Sequence, residues 1–118
     1  DYLTFSFAWV GSLRRFHSLM HAAHIEGQLV CKHCHGELGI SAAAGQHMML
    51  SAPNATDGNQ HLAFYLADDI LTAPLPIATG PKWGRIEGAG LGIEVDEEKL
   101  SHYHEEYVRF GEFPTYRI

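Results

Sequence analysis

The stretch 31–39 does most to limit what this chain can fold into. An apolar entry, Leu29 and Val30, runs into Cys31, Lys32, His33, Cys34 and His35, closes on Gly36, and passes into a small-residue helix pattern that begins near Glu37. That order is strand, functional turn, helix. In parallel α/β proteins the carboxyl end of a strand and the loop after it carry the reactive groups, because side chains there project into an open crevice while the scaffold stays rigid. His33 is therefore the first candidate for catalysis.

The same unit recurs on both sides of this stretch. Over residues 2–8, Leu3, Phe5 and Phe7 alternate with Thr4 and Ser6, the period of a half-buried strand. Ser12 is placed to cap a helix over residues 13–26, in which Leu13, Phe16, Met20 and Ala23 recur at helical spacing before Gly27. Residues 29–33 form the next strand and 37–50 the next helix, stopped by Pro53, with Ser41 to Gly45 small enough for close packing on a sheet. Residues 54–59 read as a weaker strand or loop, and 60–71 as a third helix with Leu62, Leu66 and Ile70 on one face. Strands alternating with helices predict a parallel sheet joined by right-handed crossovers.

After Thr72 the texture changes. Pro74, Pro76 and Pro81, with Gly80, Gly84, Gly88, Gly90 and Gly92, predict an irregular tail carrying a short strand at 91–95. Asp96 caps a final helix with Glu97 and Glu98 in its first turn and Leu100, Tyr103, Tyr107 and Val108 as the stripe expected to be buried. Gly111 ends it. The natural division is 1–73 and 74–118.

Charge and composition narrow the partners. The 118 residues carry a formal net charge of -6 with only 8 Lys and Arg, so no basic footprint for nucleic acid is present. No apolar run is long enough to span a bilayer and no charged-then-apolar leader opens the chain, which leads us to expect a cytoplasmic protein that does not bind membranes. Two cysteines three residues apart cannot staple distant parts of a fold, whereas 9 histidines direct attention to metal or proton-transfer chemistry.

Several constellations compete with His33. Cys31, Cys34 and His35 match the C-x-x-C-H pattern of c-type haem attachment, which makes an electron-transfer haem module the alternative function. Against it stand the absence of an export leader, the strand-like segment that leads into the motif, and the lack of a distal methionine well beyond it. A zinc site on Cys31 and Cys34 lacks a second ligand pair at ribbon spacing. His17, His21 and His24 fall on one face of the first helix and could grip a metal, although a solvated stripe explains them as well. His102 and His104 diverge on a helix and read as surface. The Gly88 to Gly92 run precedes a strand, not a helix, and reads as a turn instead of a dinucleotide loop. His33 itself is either a hydrogen-bonded strand-end histidine or a general base aimed into a pocket.

Taken in order, these pieces resemble the carboxyl-terminal part of the mandelate racemase and muconate-lactonizing group of the enolase superfamily. The run from Trp9 to Phe16 resembles that family's turn after barrel strand six, His33 to Glu37 its strand-seven His-x-x-x-Glu, and Gly88 to Asp96 its terminal glycine-rich passage. The resemblance implies strands six to eight of a (β/α)8 barrel followed by a tail that returns to a capping domain. It implies an enzyme, a racemase, dehydratase or cycloisomerase, that abstracts the proton α to a carboxylate of an acid-sugar-like substrate. It also implies Mg2+ held on strands three to five, outside these residues, and a homo-oligomeric parent. Carried over by position, His33 is the base, while Ser6, Trp9, His35, Glu37, Asp57 and Asn59 line the substrate. The aspartate that would orient such a base falls at Ser6, and the strand-eight acid falls near Asn59, with Asp57 as its substitute. The implied chain is a fragment, inactive by itself, and three strands with two open edges predict marginal stability.

Overall fold

The computed structural model of the chain describes residues 1–55, 58–62, 65–76 and 84–112. Strand β1, Tyr2–Phe5, and strand β2, Leu29–Lys32, pair in parallel from Tyr2↔Leu29 to Phe5↔Lys32. Helix α2, Leu13–Ile25, makes the crossover between them. Leu3 and Phe5 turn toward the helices and pack on a core of Phe16, Met20, Ala23, Val30, Met49 and Ala52. Strand alternation sends their neighbours to the opposite face, where Thr4 Oγ1 lies 2.9 Å from Cys31 Sγ. The rings of Phe5 and Phe7 stand edge-on to Phe16 at 4.9 and 4.6 Å.

The strand expected to continue to Ala8 ends at Phe5. Ser6 is extended, its hydroxyl accepts from the Trp9 amide at 3.4 Å, and this local cap starts a four-residue helix, α1, Phe7–Val10, which Gly11 closes at φ 80°. Ser12 caps α2 as expected, its hydroxyl accepting from the Arg15 amide at 3.2 Å. Ser12→Ala should lower stability by about 1 kcal/mol. An unchanged urea midpoint for that variant would show that the cap carries nothing.

Helix α3, Gly39–Ser51, begins two residues later than expected. Its first amide is satisfied from a distance, Gly39 donating to Asp69 Oδ1 at 2.8 Å. The small residues do pack closely: a Cβ on Gly45 would stand 2.6 Å from Lys32 Cε and 2.9 Å from the Phe7 ring. Met49 joins the first core, while Ala42 and Ala43 join a second with Leu71, Leu75 and Ile86, against which Leu91, Ile93 and Val95 pack. The tail after Thr72 is thus fastened to α3.

Between Asn54 and Leu71 one expectation is narrowed and one is corrected. Of the strand or loop expected over 54–59, the described residues 54, 55, 58 and 59 form no assigned strand, yet two contacts meet the open edge of β2: the Asn54 carbonyl accepts from Val30 at 3.1 Å and the Gln60 amide donates to the Lys32 carbonyl at 2.9 Å. The predicted helix over 60–71 is absent from the described residues there. Its carboxylates take the amides a helix would use, Asp68 Oδ1 accepting from Asp69 at 2.8 Å and Asp69 Oδ1 from Ile70 at 2.7 Å. The strand predicted at 91–95 is reduced to one antiparallel bridge, Leu71↔Val95.

Helix α4, Glu97–Phe110, is capped by Asp96, whose Oδ1 accepts from Glu98 and Lys99, both at 3.1 Å, and it ends at Gly111. Its predicted buried stripe is not buried: Leu100, Tyr103, Tyr107 and Val108 are 40%, 37%, 56% and 70% exposed. The helix is anchored near its start, where Asp68 receives Lys99 Nζ at 2.7 Å and the Tyr103 hydroxyl at 2.9 Å, and its later turns project past the core. Among the described residues no helix is long and apolar enough to cross a membrane.

Candidate active site

The parallel register fixes where the reactive groups emerge. Phe5 and Lys32 are the last paired residues, so Ser6 and His33 leave the sheet together at its carboxyl end, and the His33 amide donates back to the Phe5 carbonyl at 3.1 Å. The half-buried His33 imidazole stacks on the Trp9 indole, ring centres 4.7 Å apart and planes at 28°. His35 completes a three-ring group, 4.6 Å from His33 and 5.0 Å from Trp9. Helix α1 is what carries Trp9 to this position. Trp9 remains 60% exposed, leaving the group open on one side.

Ser6 is fully buried and its hydroxyl lies 3.1 Å from His35 Nε2. The Ser6 hydroxyl, at the position where the resemblance puts an orienting aspartate, therefore holds His35, not His33. His33 Nδ1 is buried and makes no hydrogen bond among the described residues, so no carboxylate orients its imidazole there. Asn59 does reach this end of the sheet: its Oδ1 accepts from the Lys32 amide at 2.9 Å. Gln60 acts alongside, its Oε1 accepting from the Cys34 amide at 3.1 Å. Asp57 lies outside the described residues.

Beneath the rings sits a polar cluster in which sequence reasoning missed Lys32 and considered Cys34 only as a haem or zinc ligand. Lys32 is 2% exposed and its ammonium meets both Glu37 carboxylate oxygens at 3.2 Å. It also donates to the His33 carbonyl at 3.4 Å and lies 5.6 Å from the centre of the Phe7 ring. The Cys34 thiol closes on Glu37 Oε2. The Glu37 carboxylate is thus directed into the protein, onto Lys32 and Cys34. Burial pushes the Glu37 carboxyl up, but the Cys34 thiol, the Lys32 ammonium and a backbone hydrogen bond outweigh it and leave the group below its ordinary range. His61 is held below the usual imidazole range by burial and then by the Lys32 charge, partly offset by Glu37 and Asp69. A signal for Lys32 was present in the sequence: it sits two residues after Val30, so strand alternation puts it on the helix-facing side, where a charge needs a partner.

The haem reading does not survive this geometry. Both thiols are buried, at 7% and 5% exposure, and each is engaged, Cys31 by Thr4 and Cys34 by Glu37. Neither sulfur is presented to a macrocycle. Among the described residues no group of three or more His, Cys, Asp or Glu is arranged to hold a metal ion, so the zinc site has no ligand set there.

Comparison with known proteins agrees with the fold. The enolase C-terminal domain-like family matches residues 1–99. An enolase from Streptomyces coelicolor is 31% identical, covering 94% of this chain and 29% of its own length, with a TM-score of 0.80. An enolase from Mycobacterium smegmatis complexed with tartrate is 28% identical over 94% of this chain and 27% of its own, with a TM-score of 0.81. An enolase from Pseudomonas fluorescens with bound magnesium, potassium and tartrate is 27% identical over 94% of this chain and 26% of its own, with a TM-score of 0.77. The chain spans less than a third of the length of each of these proteins. No curated protein matches it. The matched family and the strand–turn–helix order around His33 agree, and the chain belongs to the enolase C-terminal domain-like family, within the mandelate racemase and muconate-lactonizing group of the enolase superfamily.

Proposed function

We propose that this chain supplies strands six to eight of a (β/α)8 barrel, within residues 1–73, and a tail over 74–118 that returns toward a capping domain, in a longer cytoplasmic, homo-oligomeric enzyme. The reaction is removal of the proton α to a carboxylate on an acid-sugar-like substrate, as part of a racemisation, dehydration or cycloisomerisation. The observation that carries this reading is the place of His33, at the carboxyl end of a parallel strand with its imidazole in a group open to solvent on one side. There it can exchange a proton with a substrate carbon. Trp9 and His35 wall the imidazole, Ser6 fixes His35, and Asn59 lies at the same end of the sheet. Asp57 belongs to the same proposed substrate surface. Magnesium accompanies tartrate in the Pseudomonas fluorescens protein, and for the parent of this chain we assign any Mg2+ to residues outside these 118. When bound, such an ion stabilises negative charge on the substrate.

The test uses the parent protein with MgCl2 in deuterium oxide. Proton NMR over a panel of acid sugars and tartrate isomers should reveal deuterium entering the carbon next to the carboxylate. Failure of every carboxylate to exchange, in protein that is folded and saturated with magnesium, would end the proposal.

A further inference from the structure

On the crossover helix α2 two imidazoles converge. His17 and His21 stand four residues apart on α2, the first half-buried and the second exposed, with their Nε2 atoms 3.3 Å apart. Their ring centres are 4.4 Å apart. The nitrogens are therefore closer together than the rings that carry them, so both imidazoles turn their Nε2 edges inward. Two bonds of about 2.05 Å to a common zinc ion, spanning 3.3 Å between nitrogens, enclose an angle of about 107°, close to tetrahedral. An Nε2–H···Nε2 hydrogen bond also explains the contact, but at 3.3 Å on an accessible helix face it is long and competes with water.

We propose that His17 and His21 form a chelating site for a first-row divalent ion, Zn2+, Ni2+ or Cu2+, with the remaining coordination positions open to water. The backbone does the arranging. Residues four apart share one helix face, so the two ligands are brought together by the fold of α2 and separate when it unfolds. Imidazole suits these three ions, and Cu2+ should bind most tightly. Both nitrogens must be unprotonated to bind, so acid should release the metal.

The test uses the parent protein, kept in excess MgCl2, with CuCl2 or ZnSO4 as the added ion. Calorimetric titration should give one ion per chain, and the Cu2+ electron paramagnetic resonance spectrum should carry hyperfine structure from two equivalent nitrogens. His17→Gln or His21→Gln should weaken binding on the order of tenfold or more by removing one of the two bonds. His24→Gln, one turn along the same helix, should not. Glutamine keeps the helix propensity, so circular dichroism should match the unaltered chain. An independent readout is the melting temperature, which ZnSO4 should raise in the unaltered chain and not in His21→Gln, because the ion selects the folded helix. One-to-one binding that persists in the double variant, or no binding by the unaltered chain, overturns the assignment.

Discussion

Replacing His33 with asparagine in the parent enzyme should lower turnover by about 10²- to 10⁴-fold, the range that a positioned proton-transfer group contributes. The substitution keeps a planar polar side chain against the Trp9 face but removes the ring nitrogen that would accept and return the proton. Substrate affinity should change little, since the imidazole is asked to act on a proton and not to hold the carboxylate. Deuterium uptake at the substrate carbon should fall in parallel with turnover. Trp9→Phe supplies the contrast: it retains an aromatic wall and leaves His33 in place, so it should alter affinity more than the exchange rate. If His33→Asn kept exchange within a few-fold of the original while the fold was intact, the base would have to be another group. His35, already bonded through Nε2 to Ser6, would be the first to examine.

How much of this was readable in advance follows from the range of each interaction. Ser12 and Asp96 were legible as caps because the amides they satisfy lie within three residues. The β1–α2–β2 order was legible because hydrophobic period and glycine exits are local as well. The helix predicted over 60–71 failed because apolar spacing ignores Asp68 and Asp69, whose side chains capture backbone amides, one of them on Gly39, 30 residues away in sequence. The stripe on α4 is real as a pattern, but a pattern says that a face is apolar and not which surface covers it. At the site, the identity of the sheet end followed from parallel topology. Which imidazole receives the Ser6 hydroxyl did not, since that depends on the turn of α1 that brings Trp9, His33 and His35 together.

The cluster under His33 should reveal itself through an asymmetry in stability. Lys32 is 2% exposed and Glu37 13%, so the two partners are not equivalent when one is removed. Glu37→Ala strands a buried ammonium and should cost about 3 kcal/mol. Lys32→Met removes that charge, keeps a side chain of similar length beside Phe7 and Gly45, and leaves Glu37 the Cys34 thiol and some access to water; it should cost about 1 kcal/mol. The double variant Lys32→Met/Glu37→Gln should be more stable than Glu37→Ala. The pH dependence has a definite sign. In the folded protein the Glu37 carboxyl sits below its ordinary value near 4.5, because its hydrogen bonds and the Lys32 charge overcome the upward push of burial. The stability this group supplies is therefore present above that ordinary value and lost as the pH falls through the lowered folded value. Glu37→Gln should show a correspondingly smaller loss on the acid side. Urea unfolding of the parent protein and these variants at pH 7 and on the acid side reads both effects. Equal costs for Glu37→Ala and Lys32→Met would mean that Lys32 reaches water when unpaired, and the loop that carries His33 and His35 would then need another anchor than this ion pair.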